Sequence, residues 1–336
     1  LDSIYQMSNL TVMGFFEVII KLPQIFKSFK KTIEQINRQK PSVIVTIDSP
    51  DFNFRIAKKL KGSGIPLIHY VAPSVWAWRP KRASKIAGLF DHLLTLLPFE
   101  PSFFEAEGLA TTFVGHSVLD GGADKGNGEA FRKLYNIPLS DYLLVVLPGS
   151  RIGEIKVLWK IFEETIHRLK ISYPNLHIVI PTIPNLVDKV SDLSKEWKQP
   201  PIILKEDKKK FDSFAAADIA IAASGTVALE LAMSRTPAVV AYKTSQISWF
   251  FTRWLIKIRY ANLVNIILNR EEIPEFLQEN CRSDFLASKI EELLNNETLR
   301  TKQLQAYEKA LDQLKTIESS PAEKAAKAVL NHLREK

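Results

Sequence analysis

The stretch from Asp141 to Lys170 reads DYLLVVLPGSRIGEIKVLWKIFEETIHRLK, and its first half decides the fold. Residues 142–147 are apolar without polar alternation, as expected of a strand covered on both faces. Pro148-Gly149-Ser150-Arg151 break that run, and from Glu154 to Lys170 the apolar residues recur at helical spacing. A strand, a tight glycine turn and a long helix make one half of a βαβ unit.

The pattern repeats on both sides. Downstream, His177–Pro181, Ile202–Leu204, Asp218–Ala222 and Ala238–Tyr242 read as strands, with helices at Lys208–Ala217 and Thr226–Ser234. Upstream, Val43–Ile47, Pro66–Val71, His92–Leu97 and Thr111–Val114 alternate with helices at Phe52–Lys61, Arg82–Phe90 and Pro101–Glu107. Two such series predict an α/β chain of two Rossmann-like, doubly wound domains. Asp120–Ala130, DGGADKGNGEA, holds four of the thirteen glycines and reads as a loose interdomain linker, or else as a long surface loop. The expected layout is a first domain over 1–120, a linker over 121–130, a second domain over 131–315 and a C-terminal helix over 316–336. Ser320-Pro321-Ala322-Glu323 opens that last helix with an N-cap, a first-turn proline and a capping-box glutamate, and the helix is a candidate to pack back on the first domain.

Composition narrows the function. With 336 residues, 46% hydrophobic and 24% charged, the chain is an ordinary globular mix long enough for two cores. The single cysteine, Cys281, excludes an intrachain disulfide and a cysteine-cluster metal site, and the six histidines include no pair at helical metal-ligand spacing. No metal is expected. A formal charge of +8 favours an anionic partner: a phosphorylated substrate, an acidic membrane surface or nucleic acid. The basic residues are dispersed and no recognition motif is present, which disfavours nucleic acid. The chain opens at Leu1 without a charged-apolar-small leader, so no signal peptide is expected. Val12–Ile20 and Ile247–Ile256 are interrupted by Glu17 and Arg253 and are too short to span a bilayer.

In open parallel sheets ligands bind beyond the carboxyl ends of the strands, so the loops that follow strands carry the search. Gly149, Ser150 and Arg151 form an anion pocket on this reading: glycine allows close approach, the helix start presents N–H groups, and a guanidinium fork suits a diphosphate. The alternative is a structural pair between Arg151 and Glu154. Ser224, Gly225 and Thr226 make a second strand-to-helix turn, with Glu230 one turn further in, able to accept both ribose hydroxyls; alternatively Ser224 and Thr226 only cap the helix. Two such pockets without a P-loop lysine or a GxGxxG point to a nucleotide diphosphate-sugar. At the end of the first strand, Asp48 can take a proton from an attacking hydroxyl, or it is a solvated loop residue. Asp51 reads as the N-cap of the next helix. In Ala72–Arg82, Trp76 and Trp78 beside Arg79, Lys81 and Arg82 offer a flat apolar surface with charge nearby, for a sugar or acyl chain with a phosphate, or for interface packing. Finally, Leu22, Ile25, Phe26, Phe29, Ile33 and Ile36 share one helix face with Lys27, Lys30, Lys31 and Arg38 off it, a pattern for an anionic membrane or for packing on the sheet. Trp249, Phe250, Phe251 and Trp254 pose the same choice.

At these loops the chain resembles the lipid-A-disaccharide synthases over nearly its whole length, through LTVMGFFEV (10–18), TIDSPDFN (46–53), HYVAPSVWAWRPKR (69–82), LPFE (97–100), FVGH (113–116), LPGSRIGEI (147–155) and AASGTVALE (222–230). The resemblance implies a GT-B glycosyltransferase fold, two Rossmann-like domains facing a cleft, with neither metal nor cofactor. It implies inverting transfer of 2,3-diacylglucosamine from UDP-2,3-diacylglucosamine to the glycolipid 2,3-diacylglucosamine 1-phosphate, giving a β-1,6 disaccharide and UDP. The implied place is cytoplasmic, peripheral on the inner face of the bacterial inner membrane; a homodimer stays open. Asp48 and Arg151 take the places of the family's essential aspartate and arginine. Gly149, Ser150, Ser224, Gly225, Thr226 and Glu230 match its nucleotide site, and Trp76, Trp78, Arg79, Arg82, Asp51 and His116 fall on the expected acceptor side. Family members begin with a strand and a G-E-x-S-G-D loop that this chain starts after, so the first domain is expected to lack that unit. Two other functions remain open on the sequence: a UDP-N-acetylglucosamine 2-epimerase-like enzyme, and a truncated paralogue that binds UDP or lipid without turnover.

Overall fold

The computed structural model describes residues 3, 15–78, 81–205, 207–244, 258–316 and 320–334. They form two compact units, one of residues 1–115 with 322–336 and the other of residues 116–321.

In the first unit, α1 (Phe15–Gln39) precedes β1 (Ile44–Ile47), α2 (Pro50–Leu60), β2 (Leu67–Tyr70), α3 (Val75–Trp78), α4 (Arg82–Ala87), β3 (His92–Thr95), α5 (Pro101–Glu105) and β4 (Thr111–Phe113). The four strands are parallel and lie in sequence order. One core gathers Ile33 of α1, Ile56 and Leu60 of α2, Ile86 of α4 and Phe104 of α5 around Leu67 and Leu93. Phe29 and Ile36 of the predicted apolar face of α1 pack against it, whereas Phe26 is 68% exposed. On the other side of the sheet, Ile68, Leu94 and Val114 are covered by Ala325, Ala328 and Val329 of the chain's last helix, Pro321–Arg334. The edge strand β1 alternates, burying Ile44 and Thr46 and exposing Val45 and Ile47.

The second unit runs α6 (Gly128–Leu134), β5 (Leu143–Leu147), α7 (Ile152–Ser172), β6 (His177–Pro181), α8 (Val187–Ser194), β7 (Ile202–Leu204), α9 (Asp207–Ala216), β8 (Ile219–Ala223), α10 (Val227–Met233), β9 (Ala238–Tyr242), α11 (Leu263–Leu268), β10 (Glu275–Leu277), α12 (Ser283–Asn295) and α13 (Glu297–Leu314). All its paired strands are parallel, in the order β10-β9-β8-β5-β6-β7. Every residue of β5 and β8 is buried, because helices cover both faces. Leu144 and Val146 point into a core with Ile155, Phe162 and Ile290, while Leu143, Val145 and Leu147 point into another with Phe131, Phe214 and Leu231. Asp218, just before β8, accepts from Leu143 N–H (2.7 Å) and pairs with the buried Arg132 (2.8 Å), tying α6 to the sheet.

The glycine-rich stretch differs from its expectation. Residues 121–130 belong to the second unit and pack on α9. A Cβ on Gly126 would lie 2.2 Å from the Phe211 carbonyl oxygen, and one on Gly128 would lie 2.4 Å from that of Ala215. These glycines serve close approach of two backbones, not looseness. The edge strand β10 is an addition to the predicted strands. Trp249, Phe250, Phe251 and Trp254 lie outside the described residues.

Gly126 has φ −65°, which any residue adopts, so a substitution there tests packing alone. Gly126→Ala should lower the unfolding free energy by about 1–3 kcal/mol in urea titration, as overpacking does. A loose linker would leave the midpoint where it is.

Candidate active site

The second unit places the two predicted turns side by side. Leu147 at the end of β5 is in register with Ala222 of β8, so the loops after both strands leave the sheet at the same edge. They line one cavity of about 400 Å³ with Pro181, Thr182, Ile183, Leu204 and Lys210. Gly149, Ser150, Arg151, Glu154, Ser224, Gly225, Thr226 and Glu230 all face it. That is the size of a small-molecule site.

Each turn has its own mechanics. Gly149 sits at φ +111°, where L side chains are strained, and a Cβ there would lie 2.5 Å from Glu154 Oε2. Glu154 folds back over the turn: Oε2 accepts from Ser150 N–H (3.0 Å) and Oε1 from the Arg151 guanidinium (2.8 Å). The structural pair weighed for Arg151 is therefore formed, although the arginine side chain stays 54% exposed. At the second turn, Ser224 N–H donates to Ala241 O (3.1 Å) and its hydroxyl to Ala261 O (2.8 Å). Thr226 precedes α10 without a side-chain cap bond. Neither hydroxyl acts as a helix cap. A Cβ on Gly225 would meet nothing within 4 Å, so the protein's own packing does not call for a glycine there.

Glu230 is not free in the cavity. Its Oε2 lies 2.7 Å from Lys210 Nζ of α9, with both side chains mostly buried. Lys210 also stands over the rings of Phe211 and Phe214, which holds its stem in place. Sequence reasoning missed it, since a Lys-Lys-Lys run reads as a solvated face. Behind Ser224, Glu275 accepts from the N–H groups of Ala261 (2.8 Å) and Asn262 (2.6 Å) and from the Asn265 side chain (3.2 Å). Burial pushes the Glu275 carboxyl above its ordinary range against these donors. This polar hub fixes the segment that grips Ser224.

In the first unit, Asp48 is exposed at the end of β1. Asp48 and Ser49 have φ +47° and +44°, two successive left-handed residues that are not glycine. Such backbone costs of order 1–2 kcal/mol per residue and gathers at functional sites. Asn53 holds it, donating to Ile47 O (3.0 Å) and Asp48 O (2.6 Å). Beneath, the fully buried His69 meets Thr46 Oγ1 through Nδ1 (2.7 Å) and stacks on Phe90. Burial lowers its pKa to about 4 against the pull of Asp48.

The acceptor-side residues are divided between the two units. Asp51 is not the N-cap it was expected to be: Ser49 occupies that position and Pro50 starts α2, leaving Asp51 in the first turn, 3.6 Å from Arg82. Trp76 is half-buried, donating its indole N–H to Glu100 Oε1 (3.2 Å) with its ring perpendicular to that of Phe99. Trp78 closes α3, and Arg79 lies outside the described residues. His116 belongs to the second unit and is buried, its Nδ1 accepting from Val118 N–H (3.1 Å); burial lowers its pKa to about 4. That bond uses His116 as a local cap. Glu100, which sequence reasoning did not single out, also accepts from Leu96 and Leu97 N–H (3.1 and 3.0 Å), and burial raises its pKa to about 7.

A family model described as lipid-A-disaccharide synthetase matches residues 1–329. A lipid-A-disaccharide synthase of Rhodospirillum centenum is 45% identical over 98% of this chain and 83% of its own length. That of Paramagnetospirillum magneticum is 45% identical over 100% of this chain and 87% of its own. Among solved structures, a putative UDP-N-acetylglucosamine 2-epimerase from Listeria monocytogenes is similar with a TM-score of 0.63 and 13% identity, over 93% of this chain and 79% of that one. At that identity the likeness concerns the fold alone.

His69 supplies a pH test. An unfolded histidine takes its proton near 6.5 whereas this one resists until about 4, so it costs stability as pH falls through that window and nothing above it. His69→Phe keeps an aromatic ring against Phe54 and Phe90 without the titration. Relative to the parent chain, its unfolding free energy should rise by about 3 kcal/mol between pH 7 and pH 4. A difference that stays constant with pH would contradict the assignment.

Proposed function

Because the chain belongs to the lipid-A-disaccharide synthetase family and is a glycosyltransferase, we propose that its cavity holds the UDP of a UDP-2,3-diacylglucosamine donor and that Asp48 activates the acceptor hydroxyl. The observation that carries this reading is the sharing of one cavity by Arg151 and Glu230, on the turns after neighbouring strands β5 and β8.

The roles follow from the chemistry of each group. The Ser150 N–H just before α7, the first-turn N–H groups of that helix and the Arg151 guanidinium take the diphosphate, whose charge grows as the glycosidic bond breaks. The open flank of Gly225 lets a phosphate or ribose approach the backbone, and Glu230 accepts the ribose hydroxyls while Lys210 restrains its carboxylate. Asp48, exposed and held by the Asn53 clamp, receives the proton of the 6-hydroxyl of 2,3-diacylglucosamine 1-phosphate. The oxygen attacks the anomeric carbon from the face opposite UDP, the bond to UDP breaks, and a β-1,6 disaccharide forms with inversion. Trp76 and the Asp51–Arg82 pair are assigned to the acceptor. No helix of the described residues is long and apolar enough to cross a membrane. The exposed Phe26, beside Lys27, Lys30 and Lys31 on α1, fits a peripheral contact with the anionic inner leaflet.

An epimerase of the same fold would act on the donor without acceptor, so incubation with and without the glycolipid separates the two activities. Release of UDP only when acceptor is present is expected. Asp48→Asn should reduce turnover at least about a thousandfold and leave the calorimetric affinity for UDP within about twofold, whereas Arg151→Ala should weaken both. Equal loss of UDP binding in the two variants would overturn the division of roles.

A further inference from the structure

Glu154 occupies the place where the proposed function puts a phosphate. Its carboxylate is bound by the Ser150 N–H in the turn before α7 and by the Arg151 guanidinium, two of the donors assigned to the diphosphate. The seat is shaped for it: Gly149 carries no Cβ, and one would come within 2.7 Å of Glu154 Cβ as well as 2.5 Å of Oε2. The glutamate is also the less exposed partner of the pair, at 27% against 54%. Across the cavity, Lys210 is matched in the same way by Glu230. Arg151 and Lys210 of the cavity lining are therefore each neutralised by a carboxylate of the same lining.

A carboxylate and a phosphate cannot share these donors, since two anions in contact repel and each needs the same N–H groups. Resting on the reading of the cavity as a UDP site, we infer that Glu154 is a built-in competitor for the diphosphate: UDP binds by displacing it and departs as it returns. The measured affinity is then the intrinsic affinity reduced by the fraction of molecules whose seat is open. Glu154 in this role is a positioning residue. It sets how firmly the product is held, and so how fast the enzyme turns over when release of UDP limits the rate.

Removing the competitor should tighten phosphate binding, the opposite of what removing a ligand contact does. Calorimetric titration of the full chain with UDP, inorganic diphosphate and uridine tests this for Glu154→Gln and Glu154→Ala, with thermal melts to establish folding. Both variants should bind UDP and diphosphate about tenfold more tightly or better, uridine should gain nothing, and steady-state kcat should drop as UDP release slows. Unchanged or weaker UDP binding in the folded variants would overturn the inference while leaving the UDP site in place. A gain of uridine binding equal to that of UDP would overturn it too, since the effect would then lie outside the phosphate seat. If the parent chain and both variants fail to bind UDP, the reading of the cavity itself falls. Should Glu154→Ala not fold, Glu154→Gln alone decides, because it keeps the shape of the side chain and removes only the charge.

Discussion

β5 and β8 are hydrogen-bonded neighbours running in the same direction, although β6 and β7 lie between them in sequence. From β5 the chain builds outward through β6 and β7, then returns to the opposite side of β5 to lay down β8, β9 and β10. The helices that follow β5 and β8 pack on opposite faces of the sheet, α7 in one core and α10 in the other, so the two loops diverge and leave a crevice between them. The rest of the site depends on that reversal of strand order. Without it Arg151 and Glu230 would lie on remote edges of the sheet.

What the reversal creates, electrostatics and backbone geometry refine. Arg151 and Lys210 in the cavity are each matched by a carboxylate, so little net charge is left uncompensated in a half-buried space. Its walls are held by groups further back: Ser224 by Ala261, and Ala261 in turn by the half-buried Glu275. In the first unit the strained Asp48–Ser49 turn is held from one side by Asn53 and set above a histidine that burial keeps neutral. Rigid support of this kind keeps a reacting group within a fraction of an ångström of its working place.

Much of this was legible beforehand, and the misses share a physical cause. Runs such as Leu143–Leu147 and Ile219–Ala223 stand out because a strand covered on both faces has no polar alternation, and glycine or serine after them marks the turn. A glycine by itself does not say whether it frees a backbone or lets two backbones touch, so 121–130 read as a linker when Gly126 and Gly128 are packing residues. The start of α2 was misread by two residues because Asp51 suits an N-cap, whereas Pro50 at the first helical position is the stronger sign. Lys210 and Glu100 gave no local signal. Their roles come from partners in other elements, Glu230 for the first and Trp76 for the second. The strand β10 has three half-buried residues, too few for a pattern to show.

The central claim is that the turns at Gly149–Arg151 and Ser224–Glu230 hold one uridine diphosphate between them. A crystal structure of the full chain grown with UDP tests it most directly. The diphosphate is expected against Ser150 N–H and the Arg151 guanidinium, with the ribose hydroxyls on Glu230. Nucleotide density anywhere else, with this cavity filled only by solvent, would contradict it.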